Sequence, residues 1–238
     1  MTSSALQRRA AKSKTIAPRP HFLASDQPAV LRRIREPGVN LCLWTRAADP
    51  RAAVAVRALL SARDPLALDL AAPTPARLAA GLLEVIRRPS ATGRAGARHL
   101  AEDIVALAAH FSAVAETRHP RVRLTRVEDD CCALFHADTL RVRMLCTYAG
   151  DGTQWLENDN VRRDQLGSQG RTLDEATRAI VVDLAAIRTI PAWHVAALKG
   201  RAWPGEEDNA IVHRSAPVAE RSAHRLVLCL DLPAACSC

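Results

Sequence analysis

Aromatic side chains are nearly missing from this chain: Phe, Trp and Tyr make up 3% of 238 residues, and Tyr148 is the lone tyrosine. Ala, Leu and Val must therefore build the core, and hydrophobic residues at 48% are ample for one. Lysine is almost as scarce, at positions 12, 14 and 199, so the net charge of +8 rests on arginine. Such a balance favours anionic partners but does not separate nucleic acid from a carboxylate substrate. No apolar run approaches the roughly 18 residues that span a bilayer. The basic N-terminus lacks the apolar centre of a secretion signal. Internal repeats and a glycine-rich phosphate loop are also missing. The expectation is a soluble, cytoplasmic protein whose seven cysteines are mostly reduced.

What is there divides into two textures. Residues 1–20 carry five basic side chains and no acid, which predicts a disordered arm, taken to residue 24. From 25 to 119 helical signals dominate. Ser25-Asp26 precedes a short helix that ends before Pro37, and VNLCLW (39–44) reads as a strand. Asp49-Pro50 opens an Ala-rich helix as cap and first turn. Thr74-Pro75 repeats that signal. A loop with Pro89, Gly93 and Gly96 then leads to an amphipathic helix over 97–118, where Leu100, Ile104, Leu107 and Phe111 share a face. His99 and His110 on it are packing residues rather than ligands.

From 120 to 238 alternating runs replace helical spacing: RVRLTRVE, CCALFH, RVRMLCTY, TQWL, AWHVAALKG, AIVH and RLVLCLDLP. Gly150-Asp151-Gly152 and Trp203-Pro204-Gly205 mark turns between them. Short strands in series predict an antiparallel barrel or jelly roll, with an insertion that is helical over 172–187. The fold class is therefore α+β: a cupin-like C-terminal barrel with a mainly helical N-terminal part packed on it.

Two stretches carry chemistry. In the first, His136 and Asp138 stand two apart in an extended run, so their side chains point the same way. In the second, His213 follows Ile211 and Val212 in another strand-like context. Two imidazoles and a carboxylate on neighbouring strands form a facial triad that holds Fe(II) and leaves positions open opposite.

The ordered set His136-Ala-Asp138, then Arg143, Thr147 and Tyr148, then Gly150-Asp-Gly152-Thr153-Gln-Trp155, then His213-Arg-Ser-Ala-Pro217-Val218 resembles one known pattern. It is similar to the double-stranded β-helix of Fe(II)/2-oxoglutarate-dependent dioxygenases, the prolyl-hydroxylase-like branch above all. The resemblance implies that His136, Asp138 and His213 bind iron. It implies that Arg225 pairs with the far carboxylate of 2-oxoglutarate, with Thr147 and Tyr148 in the same pocket. Arg225 lies somewhat far from His213 for that pattern, and Arg221 and His224 compete for its role. Tyr148 either hydrogen-bonds the oxo-acid or anchors the barrel.

The blocks RVEDDCCALFHADTLRVRMLCTYAGDGTQWL and AWHVAALKGRAWPGEEDNAIVHRSAP also resemble a narrower bacterial family, domain of unknown function 1826. That likeness implies a link to zinc homeostasis, and with it an alternative: a non-catalytic protein binding Zn2+ through the same His/Asp site, with Cys236 and Cys238 of the tail. That tail equally reads as frayed. Cys131-Cys132 read as apolar filler. His194 is either an orienting neighbour of a ligand or a core histidine, and Glu206, Glu207 and Asp208 are placed to close over the site. The partners expected are a small-molecule or protein substrate and a second copy of the chain in a homodimer, with no membrane and no nucleic acid.

Overall fold

A computed structural model describes residues 20–62, 66–71, 73–87, 91–128, 132–216 and 224–232. Most of the expected arm, with Cys131, Pro217, Val218, Arg221, Cys236 and Cys238, lies outside these residues.

The N-terminal half supplies strands as well as helices. β1 (Phe22–Ser25) leads through a 3-10 helix (Pro28–Arg35) to β2 (Leu41–Trp44), α1 (Pro50–Leu60), β3 (Ala67–Ala71), α2 (Pro75–Arg87) and α3 (Ala91–Ala115). Asp49 caps α1 by accepting from the Arg51 amide at 2.8 Å, with Pro50 in the first turn. Thr74 caps α2 in the same way through the Arg77 amide. Residues 22–24, expected within the arm, instead belong to β1, which pairs in parallel with β2.

The C-terminal half continues with β4 (Arg121–Val127), β5 (Val142–Ala149), β6 (Gln154–Leu156), α4 (Leu173–Ile180), β7 (Arg188–Thr189), β8 (Val195–Lys199), β9 (Val212–Arg214) and β10 (Arg225–Asp231). Thr172 and Glu175 form a reciprocal capping box on α4. The helix stops at Ile180, short of the predicted 187, and a brief 3-10 turn follows at Leu184–Ala186.

Seven strands form a large sheet in the order β1-β2-β8-β5-β10-β4-β3, and three form a small one, β7-β6-β9. β2 falls in the stretch read as a strand, and with β1 and β3, which were not expected, it extends the large sheet. Leu41, Leu145, Ala196 and Leu198 of the large sheet pack against Trp155 and Ile211 of the small-sheet side, so the sheets face one another. On the opposite face, Met144, Cys146, Val122, Leu124 and Leu228 meet the helices, where Leu31, Ile34, Val56, Leu100, Ile104 and Phe111 are buried. The 157–187 insertion covers the outer face of the small sheet, with Ile180 and Val181 against Leu156 and Val212.

Gly96 is no loop residue but lies inside α3, against expectation. A Cβ there would sit 2.4 Å from the Arg51 carbonyl oxygen and 2.7 Å from the Ala55 amide nitrogen, so glycine permits the close crossing of α1 and α3. Gly96→Ala therefore has a sign that decides the matter. Helix propensity alone would stabilise by about 1 kcal/mol, whereas forcing the helices apart should destabilise by about 1–3 kcal/mol. Urea unfolding should show the loss; a stabilised variant would refute the crossing.

Candidate metal centre

The site begins with backbone pairing rather than with side chains. Residues 132–136, the described part of CCALFH, do not form the expected strand. His136 instead makes a single isolated bridge to His213, its amide donating to the His213 carbonyl at 3.0 Å and its carbonyl accepting from the His213 amide at 2.9 Å. β9 is held in turn by β6, with Trp155 opposite His213. The rings of His136 and His213 lie 4.7 Å apart.

Each ring is oriented from behind. Nδ1 of His136 lies 2.8 Å from the Leu134 carbonyl oxygen, and Nδ1 of His213 lies 3.4 Å from that of Ile211. Such outer hydrogen bonds fix tautomer and ring direction in metal sites. Both Nε2 atoms then face Asp138, at 3.7 Å from Oδ1 for His136 and 3.6 Å from Oδ2 for His213. One donor atom from each of the three residues falls within 4.8 Å of the others. The Asp138 backbone is pinned by the Arg201 amide, which donates to its carbonyl at 2.8 Å.

The charges match a cation site. Burial works to raise the Asp138 carboxyl, but the contact with His136 and the charges of His213, Arg143 and His136 outweigh it and hold it well below the usual carboxylate range. Burial pushes the His213 imidazole down to about 4, against the pull of Asp138. His136 is raised by its contact with Asp138, against burial. Asp138 Oδ2 is buried and accepts no hydrogen bond. A buried acceptor left open is costly, and two imidazole nitrogens beside it complete a donor set for a divalent ion. The residues fit a metal.

Thr147 and Arg225 also lie between the sheets. Val227 of β10 pairs with Thr147 of β5, and the register shifts between Leu226 and Val227 where Arg225 enters. Gly150, at φ +80°, makes room for the Arg225 stem, since a Cβ would meet its Cγ at 2.8 Å. Arg225 is 2% exposed; Nε donates to the Asp151 carbonyl at 2.6 Å, and Nη1 is buried without a partner. Thr147 Oγ1 is likewise buried without one.

Other expected residues are not brought here. Tyr148 points to the helix face, where its hydroxyl donates to Asp103 at 2.6 Å beside Trp193, so it anchors the barrel. Glu206 pairs with Lys199 at 2.9 Å and accepts from Gly38, and Glu207 accepts from Gly205, so neither closes over the site. His194 has its Nδ1 3.4 Å from the Ala192 carbonyl oxygen. His224 faces Glu128 rather than taking the place of Arg225. Sequence reasoning missed Asp231, which binds Arg143; an acid ending the apolar run RLVLCLD was the available signal.

Metal binding requires neutral imidazoles. Protons therefore compete first at His136, and affinity should fall as pH drops through its raised value, approaching about tenfold per pH unit. His213 should add no further loss until pH nears about 4. Co(II) titrations over a pH series check this; affinity flat across the histidine range would remove His136 from the ligand set.

A family model described as "Protein of unknown function (DUF1826)" matches residues 25–231. Among solved structures, the chain is similar to dioxygenase for auxin oxidation 1 from Arabidopsis thaliana in its complex with 2-oxoglutarate. Identity is 12% and the TM-score 0.46, covering 91% of this chain and 94% of that one. A bsmA homolog from Methylobium petroleophilum PM1 gives 14%, 0.42, 87% and 95% in the same order. AviO1 from Streptomyces viridochromogenes Tue57 gives 13%, 0.39, 88% and 96%. No curated protein matches. The family match runs from before the first 3-10 helix through β10, and the chain belongs to the DUF1826 family.

Proposed function

We propose that this protein is a mononuclear Fe(II)/2-oxoglutarate-dependent oxygenase. The observation that carries the reading is a pair of buried, unpartnered donors, Thr147 Oγ1 and Arg225 Nη1, between the same two sheets that hold the His/Asp/His cluster. A buried guanidinium nitrogen without an acceptor is expensive unless an anion completes it. A dicarboxylate bound at the metal by one end would present its far carboxylate to that cation.

The winding agrees with this reading. β4, β5, β8 and β10 belong to the large sheet, while β6, β7 and β9 fall between them in sequence and form the small one, to which His136, between β4 and β5, adds a single bridge at β9. We read that alternation as a double-stranded β-helix.

His136, Asp138 and His213 would hold Fe(II), leaving further coordination positions open. When bound, iron with 2-oxoglutarate and O2 supplies the oxidising chemistry. Arg225 contributes a permanent charge and a planar pair of donors suited to a carboxylate. Its stem is fixed by Asp151 and Gly150, so the charge is aimed before the ligand arrives. Thr147 adds a hydroxyl donor from the neighbouring strand. Leu145, Trp155, Ala196 and Leu198 keep water from the space between the sheets.

The test is titration calorimetry of anaerobic Fe(II)-loaded protein with 2-oxoglutarate. Arg225→Ala should weaken binding by about 2–4 kcal/mol, or roughly 30- to 1000-fold. Thr147→Val should cost about 1 kcal/mol, and His224→Ala should change nothing. No binding to fully loaded wild type would defeat the co-substrate.

A further inference from the structure

A row of alternating charges leads away from the metal ligands across three adjacent strands. Asp138 Oδ1 accepts from Arg143 Nη1 at 2.9 Å. Arg143 turns its other edge to Asp231, with Nε to Oδ1 at 2.7 Å and Nη2 to Oδ2 at 3.2 Å. Asp231 Oδ2 also accepts from Arg123 Nη2. Arg143 and Asp231 are register partners on β5 and β10, and Arg123 reaches in from β4. The side chains of Asp138, Arg143 and Asp231 are 11%, 18% and 7% exposed, so the row is mostly out of water.

The division of the Arg143 fork gives this row a purpose beyond pairing charges. The two-point lock with Asp231 fixes the guanidinium plane. Nη1 then has one direction, and it meets only one oxygen of Asp138. Rotation of the carboxylate is thereby set, with Oδ1 occupied and Oδ2 turned toward His213 Nε2 at 3.6 Å without a hydrogen bond. A carboxylate held this way presents its free oxygen, Oδ2, to a metal, whereas a metal bond at Oδ1 would have to share that atom with Arg143. Lysine could not do the same, because a point charge cannot grip Asp231 at two points and still aim at Asp138.

We propose that Asp231, acting through Arg143, is a positioning residue that restricts Asp138 to single-oxygen presentation toward the metal. The inference rests on the metal-binding part of the proposed function and is independent of 2-oxoglutarate.

The experiment uses Co(II) on the full chain, with affinity read by competition against a chromophoric chelator and geometry read from the visible absorption bands. Asp231→Asn and Arg143→Lys should each weaken Co(II) by about 10- to 100-fold and alter the bands. The double variant should be no worse than the weaker single within about twofold, because both break one device. Asp103→Asn supplies the structural control. It disrupts the comparably buried Arg46–Asp103 pair on the other face of the sheet, so it should lower the urea midpoint and leave Co(II) affinity unchanged. If Asp231→Asn does not fold, Arg143→Lys, which keeps the charge, carries the affinity and band readouts. Wild-type affinity in both singles, or losses that multiply in the double variant, would overturn the positioning role while leaving the metal site intact. Failure of wild type itself to bind Co(II) would overturn both.

Discussion

Two backbone hydrogen bonds between His136 and His213 join segments far apart in sequence, and the candidate metal centre depends on them. Backbone pairing fixes the two α-carbons without using either side chain, so both imidazoles stay free to face the same point. The carbonyls of Leu134 and Ile211 then set ring direction. Because β9 is itself paired to β6, and Trp155 packs on the large sheet, the bridge inherits the rigidity of the two-sheet core. A site held by one bridge needs that support, since an isolated bridge has no strand-length ladder of its own.

The large sheet separates two kinds of buried polarity. On β5, Arg143 and Thr147 project between the sheets, while Met144, Cys146 and Tyr148 project to the helices. The helix side has its own ion pair, in which Arg46 grips Asp103 at 2.5 and 2.9 Å and donates to the Trp193 carbonyl, with Tyr148 donating to the same carboxylate. Those groups have partners. Unpartnered atoms on β5 and β10 occur on the other side, at Thr147 Oγ1 and Arg225 Nη1. Among the described residues, the open donors of these two strands thus lie on one face of the sheet and the satisfied ion pair on the other.

How much of this was legible depended on how local the signal was. Asp49-Pro50 and Thr74-Pro75 act within a few residues, and both cap helices as read, while the Thr172–Glu175 capping box is equally local but was not picked out. The candidate cluster could be picked out because His-x-Asp and a later His-x-x-x-Pro-Val stand in a recognisable order, although the first lies in a bridged loop rather than a strand. β3 was hidden because Ala-Leu-Asp-Leu-Ala has no β-branched or aromatic residue, and β4 supplies its reason to pair. Gly96 reads as a breaker in isolation and becomes a crossing point only once α1 lies beside it. Tyr148 was left between pocket and barrel anchor by its place in a motif, and strand alternation decides for the anchor, since a neighbour of Thr147 belongs to the opposite face. Asp231 could be flagged as an acid in an apolar strand, yet its partner Arg143 is set by sheet order, which no local pattern contains.

The arginine-rich composition has a physical explanation in the fold. Arg126 donates to the Leu59 and Ala62 carbonyls at the end of α1, Arg35 to Ala113 and Val114 at the end of α3, and Arg162 to Val181 after α4. Helix C-termini leave carbonyls without intrahelical partners, and a five-donor fork serves several at once where an ammonium serves fewer. Arginine is thus used as internal framework, so the charge of +8 need not mark a nucleic-acid surface. Against that habit, the few open guanidinium atoms stand out. Arg123 and Arg141 each leave an Nε, a single N–H, buried and unbonded. Arg225 leaves Nη1, a terminal nitrogen with two hydrogens, at a position 2% exposed. Burial alone lowers its pKa, which means that the charge costs free energy where it stands. Among the described residues Arg225 is thus the arginine with a terminal nitrogen left buried and unpartnered, and it stands between the two sheets, where the proposed function would have a bound carboxylate complete it.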